Sequence, residues 1–232
     1  AMNTRAQRTA ITGASGFIGS ALARTLVARG ETVVRIGRGE ENDARWDPAS
    51  GTLDDGALDG VGAVVHLAGA SIAQRWTPAW KRESEESRVK GTRLIAERCA
   101  RLATPPAVLV SGSAIGIYGS RSDEWLDEHS TIGDDFLAGV AQAWEEATRP
   151  AEEAGIRVVH LRTGIVLHPR GGALKKMLLP FQLGVGGRLG DGRQWMSWIS
   201  REDLVRAIVH AIETPAIRGA MNAVAPEPVT NR

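Results

Sequence analysis

Three glycines near the start of the chain, Gly13, Gly16 and Gly19, could bind a phosphate group. They follow a short β-type run at residues 8–13 (RTAITG), and a segment with apolar residues at helical spacing comes after them. Between a strand and a helix, such glycines permit a tight turn, a close approach of backbone to a pyrophosphate and close helix–strand packing. The N–H groups at the start of the helix then face the anion. The sequence therefore predicts a dinucleotide site rather than a glycine-rich turn that binds nothing.

The residue type at the end of the second predicted strand indicates which dinucleotide would bind. Selection of NAD usually requires an acidic side chain about 20 positions after the glycine loop, where it holds the ribose 2′-hydroxyl. Arg38 stands in that neighbourhood, and a guanidinium can pair with a 2′-phosphate. Glu40 and Glu41 lie close, so Arg38 could instead pair with one of them at the surface. The arginine in place of an acid favours NADP(H) over NAD(H).

Alternating strand and helix patterns must position these groups. The predicted strands lie at residues 8–13, 32–36, 63–67, 107–110, 156–161 and 220–224, and the predicted helices at 17–29, 78–102, 135–154 and 201–212. The alternation predicts an α/β fold, a Rossmann-type doubly wound parallel sheet. We expect residues 3–165 to form the NAD(P)-binding domain, and residues 166–232 to form a small substrate-facing lobe that is incomplete at its C-terminus.

The composition argues against several classes of protein and site. The 28 basic and 27 acidic residues leave a net charge of +1, which gives no support to a basic nucleic-acid-binding face. The single cysteine, Cys99, excludes a disulfide framework, and the five histidines lack metal-ligand spacing. No apolar run approaches the ~18 residues of a membrane span, and no signal-peptide pattern is present. We expect a cytoplasmic protein with a small-molecule substrate and no metal, membrane or nucleic-acid partner; the sequence is compatible with a homodimer.

The chain resembles the extended short-chain dehydrogenase/reductase superfamily in its glycine spacing, in HLAG at residues 66–69 and in the stretch 113–119. More narrowly, it is similar to the group of NAD(P)-dependent epimerase family proteins, which are sometimes mislabelled as cell-division inhibitors. Matching segments span nearly the whole chain, among them ITGASGFIG, RWTPAWK, SRVKGTR, SGSAIGIYG, LRTGIVL, GGALKKMLLPF and GVGGRLGDGRQWMSWI. The resemblance implies an NADP(H)-binding, epimerase/dehydratase-like oxidoreductase.

The resemblance also implies roles for individual residues. Those expected to bind the cofactor are Gly13, Ser15, Gly16, Phe17, Ile18 and Gly19 at the pyrophosphate, Arg38 at the 2′-phosphate, Leu67, Ala68 and Gly69 along its centre, and Leu161, Arg162 and Thr163 near the nicotinamide. Those expected near the substrate are Lys81, Arg88, Arg193 and Trp198. Ordinary surface charge is the alternative for Lys81 and Arg88, and packing is the alternative for Trp198.

Proton transfer is where the chain departs from the superfamily, which normally uses a tyrosine with a lysine four residues on. A phenol of pKa about 10 needs such a cation to act near neutrality. The only tyrosine, Tyr118, is followed at the fourth position by Ser122, and residues 135–140, where the motif normally lies, contain neither a hydroxyl nor an ammonium group. Ser113 and Tyr118 are left as catalytic candidates. Ser113 lies just beyond the strand predicted at residues 107–110, at the carboxyl end where ligands bind in such sheets, but a serine that satisfies loop backbone is equally well supported.

The chain departs from the resembled family in two further segments. The family's SWIH segment reads SWIS at residues 197–200, and members usually continue past a segment like PEPVTN at 226–231.

Two hypotheses about the function remain. The first hypothesis is an enzyme in which Ser113, with water or a substrate group, transfers the proton. The second is a redox sensor or scaffold that binds NADP(H) without turnover, because binding needs the glycine loop but not the tyrosine–lysine pair.

Overall fold

The computed structural model describes residues 8–70, 75–188 and 190–231. Residues 3–7 and 71–74 of the first predicted domain, and residues 189 and 232 of the second, lie outside the described residues. In chain order the elements are β1 (Arg8–Thr12), α1 (Gly19–Ala28), β2 (Thr32–Gly37), β3 (Ala44–Asp47), β4 (Thr52–Leu53), β5 (Ala63–His66), α2 (Pro78–Ala100), β6 (Val108–Ala114), a 3-10 turn (Ile115–Tyr118), α3 (Phe136–Glu146), α4 (Arg149–Glu153), β7 (Arg157–Thr163), β8 (Ile165–His168), α5 (Gly172–Gln182), β9 (Trp195–Met196), β10 (Trp198–Ser200), α6 (Arg201–Glu213), β11 (Gly219–Ala223) and β12 (Val229–Thr230).

The main sheet has the strand order β11-β7-β6-β5-β1-β2-β3-β4. Its pairs are parallel except for the short antiparallel pair β3–β4. The chain leaves β1 toward β2 and β3, and then returns to β5 on the other side of β1. In open α/β sheets, ligands bind in the crevice outside the carboxyl ends of the strands at such a reversal of order. The structure confirms the predicted α/β doubly wound fold.

Helices cover both faces of the sheet, because neighbouring residues on each central strand point to opposite sides. Ile11, Val65 and Val110 pack in one apolar cluster with α1 and α6, whereas Ala10, Val64 and Leu109 pack in a second cluster with α2 and α4. All six of these side chains are fully buried. This two-sided burial explains the near-continuous apolar runs of the sequence.

Two parts of the chain differ from the simple reading of the sequence. The single helix expected over residues 135–154 is divided into α3 and α4, because Pro150 has no N–H to continue the hydrogen-bond ladder. The segment after residue 165 forms two small sheets, β10–β8 and β12–β9, but it also adds β11 to the main sheet beside β7. Helix α6 from the same segment packs against α1. The domain boundary at residue 165 stays a prediction.

Candidate cofactor and active site

The glycine loop joins β1 to α1 at the reversal of strand order. Gly13 has φ of +70°, a left-handed conformation that favours glycine, and its carbonyl accepts a 2.9 Å hydrogen bond from the Gly16 N–H. A Cβ on Gly19 would collide with the Gly13 carbonyl oxygen, and a Cβ on Gly13 would lie 3.1 Å from the Ala68 nitrogen. The loop is therefore tight enough to require glycines, and it forms the kind of backbone cradle that a pyrophosphate fits.

Thr12, the last residue of β1, aligns the loop that follows β5. Its hydroxyl oxygen accepts hydrogen bonds from the N–H groups of Leu67 (3.2 Å) and Ala68 (3.3 Å). The hydroxyl proton therefore goes to Nδ1 of His66, 2.7 Å away, which leaves the imidazole proton on Nε2. Burial lowers the pKa of His66 to about 4, so the ring is neutral at pH 7. The two hydrogen bonds to the Thr12 hydroxyl fix the backbone of Leu67 and Ala68, both predicted cofactor residues, against the glycine loop.

Arg38 directly follows β2 and is exposed at the carboxyl end of that strand. In the described part of the chain it forms no ion pair with Glu40 or Glu41. The pKa of Asp47 is lowered mainly by the hydrogen bond from the Ala49 N–H, and the charge of Arg38 contributes a smaller part. The glycine loop, Arg38 and Leu67–Gly69 thus lie after β1, β2 and β5, which are adjacent strands of the sheet.

The third predicted group of cofactor residues ends β7. Leu161 packs in the core with α1 and α6, and the Thr163 hydroxyl donates to the Leu161 carbonyl at 3.2 Å. Arg162 points into a polar network instead. Its Nε and Nη2 donate to the two carboxylate oxygens of Glu145, each at 2.9 Å. The side chains of this strand end are therefore held largely by the protein itself.

Glu145 on α3 is the centre of this network. In addition to Arg162, it accepts a 2.7 Å hydrogen bond from the Ser113 hydroxyl. Burial acts to raise the pKa of the Glu145 carboxyl, but the hydrogen bonds from Arg162 and Ser113 outweigh it and hold the pKa below its ordinary value. The same pairing raises the pKa of Arg162. The pair is therefore fully charged at neutral pH.

Tyr118 extends the network toward β11. Its hydroxyl accepts from Arg162 Nη1 at 2.9 Å and donates to the side-chain oxygen of Asn222 at 2.7 Å. The Glu128 carboxylate, in turn, accepts from the Asn222 N–H at 2.7 Å. Ser113 and Tyr118 are only 5% and 4% exposed. Both predicted catalytic hydroxyls thus donate their protons within the protein, and each could offer a ligand only an acceptor lone pair in this arrangement.

The four predicted substrate residues fall into two separate pairs. Lys81 and Arg88 lie two turns apart on α2, whereas exposed Arg193 precedes β9 and Trp198 begins β10. Arg88 is buried and donates to the carbonyls of Ala70 (3.0 Å) and Ser84 (2.9 Å). The Trp198 indole donates to the Glu227 carbonyl at 3.1 Å. No hydrogen bond, ion pair or ring contact in the described residues joins the two pairs.

The sequence reasoning gave no particular role to Glu145, Asn222 or His66. A signal for Glu145 was present in the strand RVVHLRT, because a cation in an otherwise apolar, buried strand requires a carboxylate partner. The sequence offers no comparable signal for Asn222, whose partners are 104 and 94 residues away along the chain.

Among residues 8–70, 75–188 and 190–231, no cluster of three or more His, Cys, Asp or Glu side chains could hold a metal ion. None of the helices described here is both long enough and apolar enough to cross a membrane.

A sequence profile of the NAD dependent epimerase/dehydratase family matches residues 9–223. The epimerase family protein MT2273 of Mycobacterium tuberculosis is 46% identical over 226 residues, which cover 96% of this chain and 74% of that protein. The epimerase family protein SDR39U1 of Bos taurus is 38% identical over 224 residues, covering 94% of this chain and 74% of that protein. The chain thus spans about three quarters of the length of these relatives.

Two solved structures resemble the fold closely. A nucleoside-diphosphate sugar epimerase from Corynebacterium glutamicum superposes with a TM-score of 0.88 at 42% identity, covering 97% of this chain and 48% of that one. The human epimerase family protein SDR39U1 (isoform 2), solved with NADPH, gives a TM-score of 0.86 at 35% identity and covers 97% of this chain and 76% of that one. Together with the match over residues 9–223, these similarities show that the chain belongs to the NAD dependent epimerase/dehydratase family.

Proposed function

We propose that the chain is an NADP(H)-dependent oxidoreductase or epimerase that acts on a small molecule. Bound in the crevice, the nicotinamide would supply hydride transfer. The chain's own residues bind and orient the cofactor: the N–H groups at the start of α1 hold the pyrophosphate, and Arg38 holds the 2′-phosphate. Thr12 keeps Leu67 and Ala68 beside them through its two hydrogen bonds.

The observation that carries this proposal is the packing of the glycine loop at the reversal of strand order. Gly19 lies so close to the Gly13 carbonyl that no side chain fits there, and the adjacent strand ends bring Arg38 to the same edge of the sheet. The NADPH-bound human relative supports the choice of NADP(H). The absence of an ion pair between Arg38 and either nearby glutamate, in the residues described, also supports it.

Calorimetric titration with NADPH and with NADH tests the cofactor assignment. A charge-assisted pair between Arg38 and a 2′-phosphate contributes about 1.5–3 kcal/mol, so the wild type should bind NADPH roughly 10- to 100-fold more tightly than NADH. Arg38→Ala should remove that preference. Arg101→Ala is the matched control, because Arg101 is an exposed arginine at the far end of α2. Tighter binding of NADH by the wild type would overturn the assignment.

A second candidate, favoured by a specific observation, is a protein that binds NADP(H) as a sensor or scaffold without turnover. Ser113 donates its proton to Glu145, and Tyr118 donates its proton to Asn222. Neither predicted catalytic hydroxyl therefore presents a free proton to a ligand, which is what a binding protein without turnover would show.

Stopped-flow absorbance of bound NADPH, followed against a panel of metabolites, separates the two candidates. Oxidation of NADPH by any compound, lost in Ser113→Ala, supports the enzyme. Ser111→Ala is the control, because Ser111 lies on the same strand but contacts neither Glu145 nor Tyr118 in the structure. No oxidation, combined with a partner affinity that changes with cofactor, supports the sensor.

We also propose that the protein acts in the cytoplasm. Cys99 is buried, and burial raises the pKa of its thiol to about 12, so the thiol is unreactive at neutral pH. A single inert thiol is compatible with a reducing compartment. The homodimer stays a prediction that a sedimentation measurement of the purified protein would test.

A further inference from the structure

The first turns of α2 and α3 meet in a cluster to which the proposed function gives no role. Trp76 packs against Trp80 with ring centroids 5.5 Å apart, and it meets Phe136 edge-on at 6.2 Å. The Lys81 ammonium lies 4.8 Å over the Phe136 ring. These four side chains, Trp76, Trp80, Lys81 and Phe136, are called here the aromatic–lysine cluster.

The cluster lies at the same edge of the sheet as the glycine loop. Helix α2 follows β5 and helix α3 follows β6, so both helices begin on the side of the sheet where the parallel strands have their carboxyl ends. That edge is where ligands bind in doubly wound sheets. The cluster is therefore positioned to contact a substrate rather than the outer surface alone.

The Lys81 ammonium differs from the charged groups of Lys90 and Arg88 on the same helix in having no acceptor among the described residues. Lys90 pairs with Glu86 at 2.6 Å, and Arg88 donates to Ala70 and Ser84. The Lys81 backbone N–H donates to the Thr77 carbonyl at 2.9 Å, but within the described residues its ammonium makes neither a hydrogen bond nor an ion pair. Its ammonium lies over the Phe136 ring, and none of its three N–H donors has an acceptor in the part of the chain that the structure describes. A restrained cation with free donors is suited to an anionic oxygen of a ligand.

The aromatic part of the cluster adds an apolar surface beside this cation. Trp76 is 46% exposed, which is a large exposure for a tryptophan in contact with two other rings. Exposed aromatic faces next to a charged group bind ligands that have one apolar face and one polar end. A single ammonium balances a single negative charge, whereas phosphate sites typically use several N–H or guanidinium donors.

We propose that the aromatic–lysine cluster is a substrate subsite for a small molecule that carries a carboxylate. Lys81 donates to the carboxylate, while Trp76 and Phe136 cover the adjacent apolar face of the molecule. The inference rests on the proposed function in one respect: the molecule bound here is taken to be the substrate that lies next to the cofactor.

The count of four lysines, Lys81, Lys90, Lys175 and Lys176, makes a direct test practical. Reductive methylation with ¹³C-formaldehyde labels each lysine and keeps its charge. The Phe136 ring should shift the Lys81 methyl resonance upfield, and Lys81→Arg assigns that resonance by removing it. Phe136→Leu should return the resonance to the position of the exposed lysines.

The labelled protein is then titrated with two carboxylates and their neutral counterparts, D-glucuronate against D-glucose and benzoate against benzyl alcohol. We expect at least one carboxylate to shift the Lys81 resonance saturably, with no response to its neutral counterpart and none at Lys90. In unlabelled protein, calorimetry with that carboxylate should show at least 10-fold weaker binding to Lys81→Met, and unchanged binding to Lys90→Met. Equal thermal midpoints of the two variants would exclude a folding defect.

Two outcomes would overturn the subsite. One is a Lys81 resonance that no carboxylate moves. The other is an equal response to inorganic phosphate or chloride at matched ionic strength, which would show a site for anions in general. NADPH binding, measured by calorimetry on the same preparation, keeps the two proposals distinct. If NADPH binds and Lys81 is silent, the subsite alone fails; if Lys81 responds and NADPH does not bind, the cofactor assignment fails.

Discussion

At the scale of single residues, Gly19 shows how the loop sequence determines a binding surface. A methyl group at this position would collide with the Gly13 carbonyl oxygen, which is backbone and cannot rotate away. Gly19→Ala should therefore displace the loop and weaken NADPH binding at least 10-fold in calorimetry. Gly139→Ala is the control, since a Cβ there has nothing within 4 Å; it should leave NADPH affinity unchanged and stabilise α3 by about 0.5–1 kcal/mol. Unchanged affinity in Gly19→Ala would contradict the described loop geometry.

The pair Glu145–Arg162 supports a second prediction at this scale. The two side chains are largely buried and joined by two hydrogen bonds. Removing the Glu145 charge leaves the buried Arg162 guanidinium without the opposite charge of this pair, so Glu145→Gln should lower the free energy of unfolding by about 3–5 kcal/mol. Glu146→Gln removes a neighbouring carboxylate whose ion pair with Arg149 is exposed, and it should cost less than about 1 kcal/mol. Urea unfolding measures the loss of unfolding free energy in both variants. Equal losses would show that the buried pair contributes no more to stability than the exposed pair does.

Single residues also mark the limit of what the sequence could predict. Gly13, Gly16 and Gly19 were predicted because a backbone constraint acts within seven residues of chain. The inward donation of the Ser113 and Tyr118 protons could not be predicted, because their acceptors are 32 and 104 residues away. Which lone pairs and protons face a ligand depends on such distant partners and not on local spacing.

At the scale of elements, Arg157 at the start of β7 holds the end of α6. Its guanidinium donates to the carbonyls of Ala211 (2.8 Å), Ile212 (2.9 Å) and Ile217 (2.7 Å). The carbonyls of Ala211 and Ile212 are groups that a helix C-terminus leaves without internal partners, whereas Ile217 lies in the loop after α6. A cation at this position also interacts favourably with the helix dipole. Arg157→Met should therefore lower the free energy of unfolding by about 2–4 kcal/mol. Arg218→Met is the control, because Arg218 is exposed nearby; a loss of the same size in both variants would refute the capping role.

Element boundaries were predicted where the signal is local. The start of α2 agrees with the prediction because Thr77 accepts from the Trp80 N–H and Pro78 begins the helix. The division between α3 and α4 was missed, although Pro150 was visible, because the apolar spacing continues across it. Strand β6 extends to Ala114, beyond the predicted Val110, because its polar end pairs with β7 through the Ser113–Arg162 register.

At the scale of the whole molecule, the alternation of elements predicted the doubly wound class but not the full order of strands. The pairing of β11 with β7 joins residues about 60 positions apart, and the sequence contains no local signal for it. The consequence is functional: β11 carries Asn222, which binds the Tyr118 hydroxyl at the edge of the candidate site. The segment after residue 165 therefore adds a strand to the main sheet and also forms the small sheets β10–β8 and β12–β9.

Acid stability is a property of the whole molecule that one buried ring should dominate. Burial lowers the pKa of His66 from 6.5 to about 4, so the unfolded chain binds a proton in this range that the folded chain does not. The contribution of His66 to the free energy of unfolding is therefore fully present above pH 6.5. It is lost as the pH decreases toward 4, by about 3 kcal/mol. His160, whose pKa is also lowered by burial, acts in the same direction. Glu145, whose pKa is depressed, adds a loss only below its ordinary value of 4.5.

Urea unfolding at pH 7 and at pH 4.5 tests this assignment. The wild type should lose about 2–3 kcal/mol between the two values, and His66→Gln should lose much less, whatever its stability at pH 7. His210→Gln, at an exposed position on α6, should keep the dependence of the wild type. If His66→Gln lost as much unfolding free energy between pH 7 and pH 4.5 as the wild type does, the acid sensitivity would come from His160 or from the carboxylates instead. Because His66 also accepts the Thr12 proton, NADPH affinity should weaken over the same pH range in which the free energy of unfolding falls.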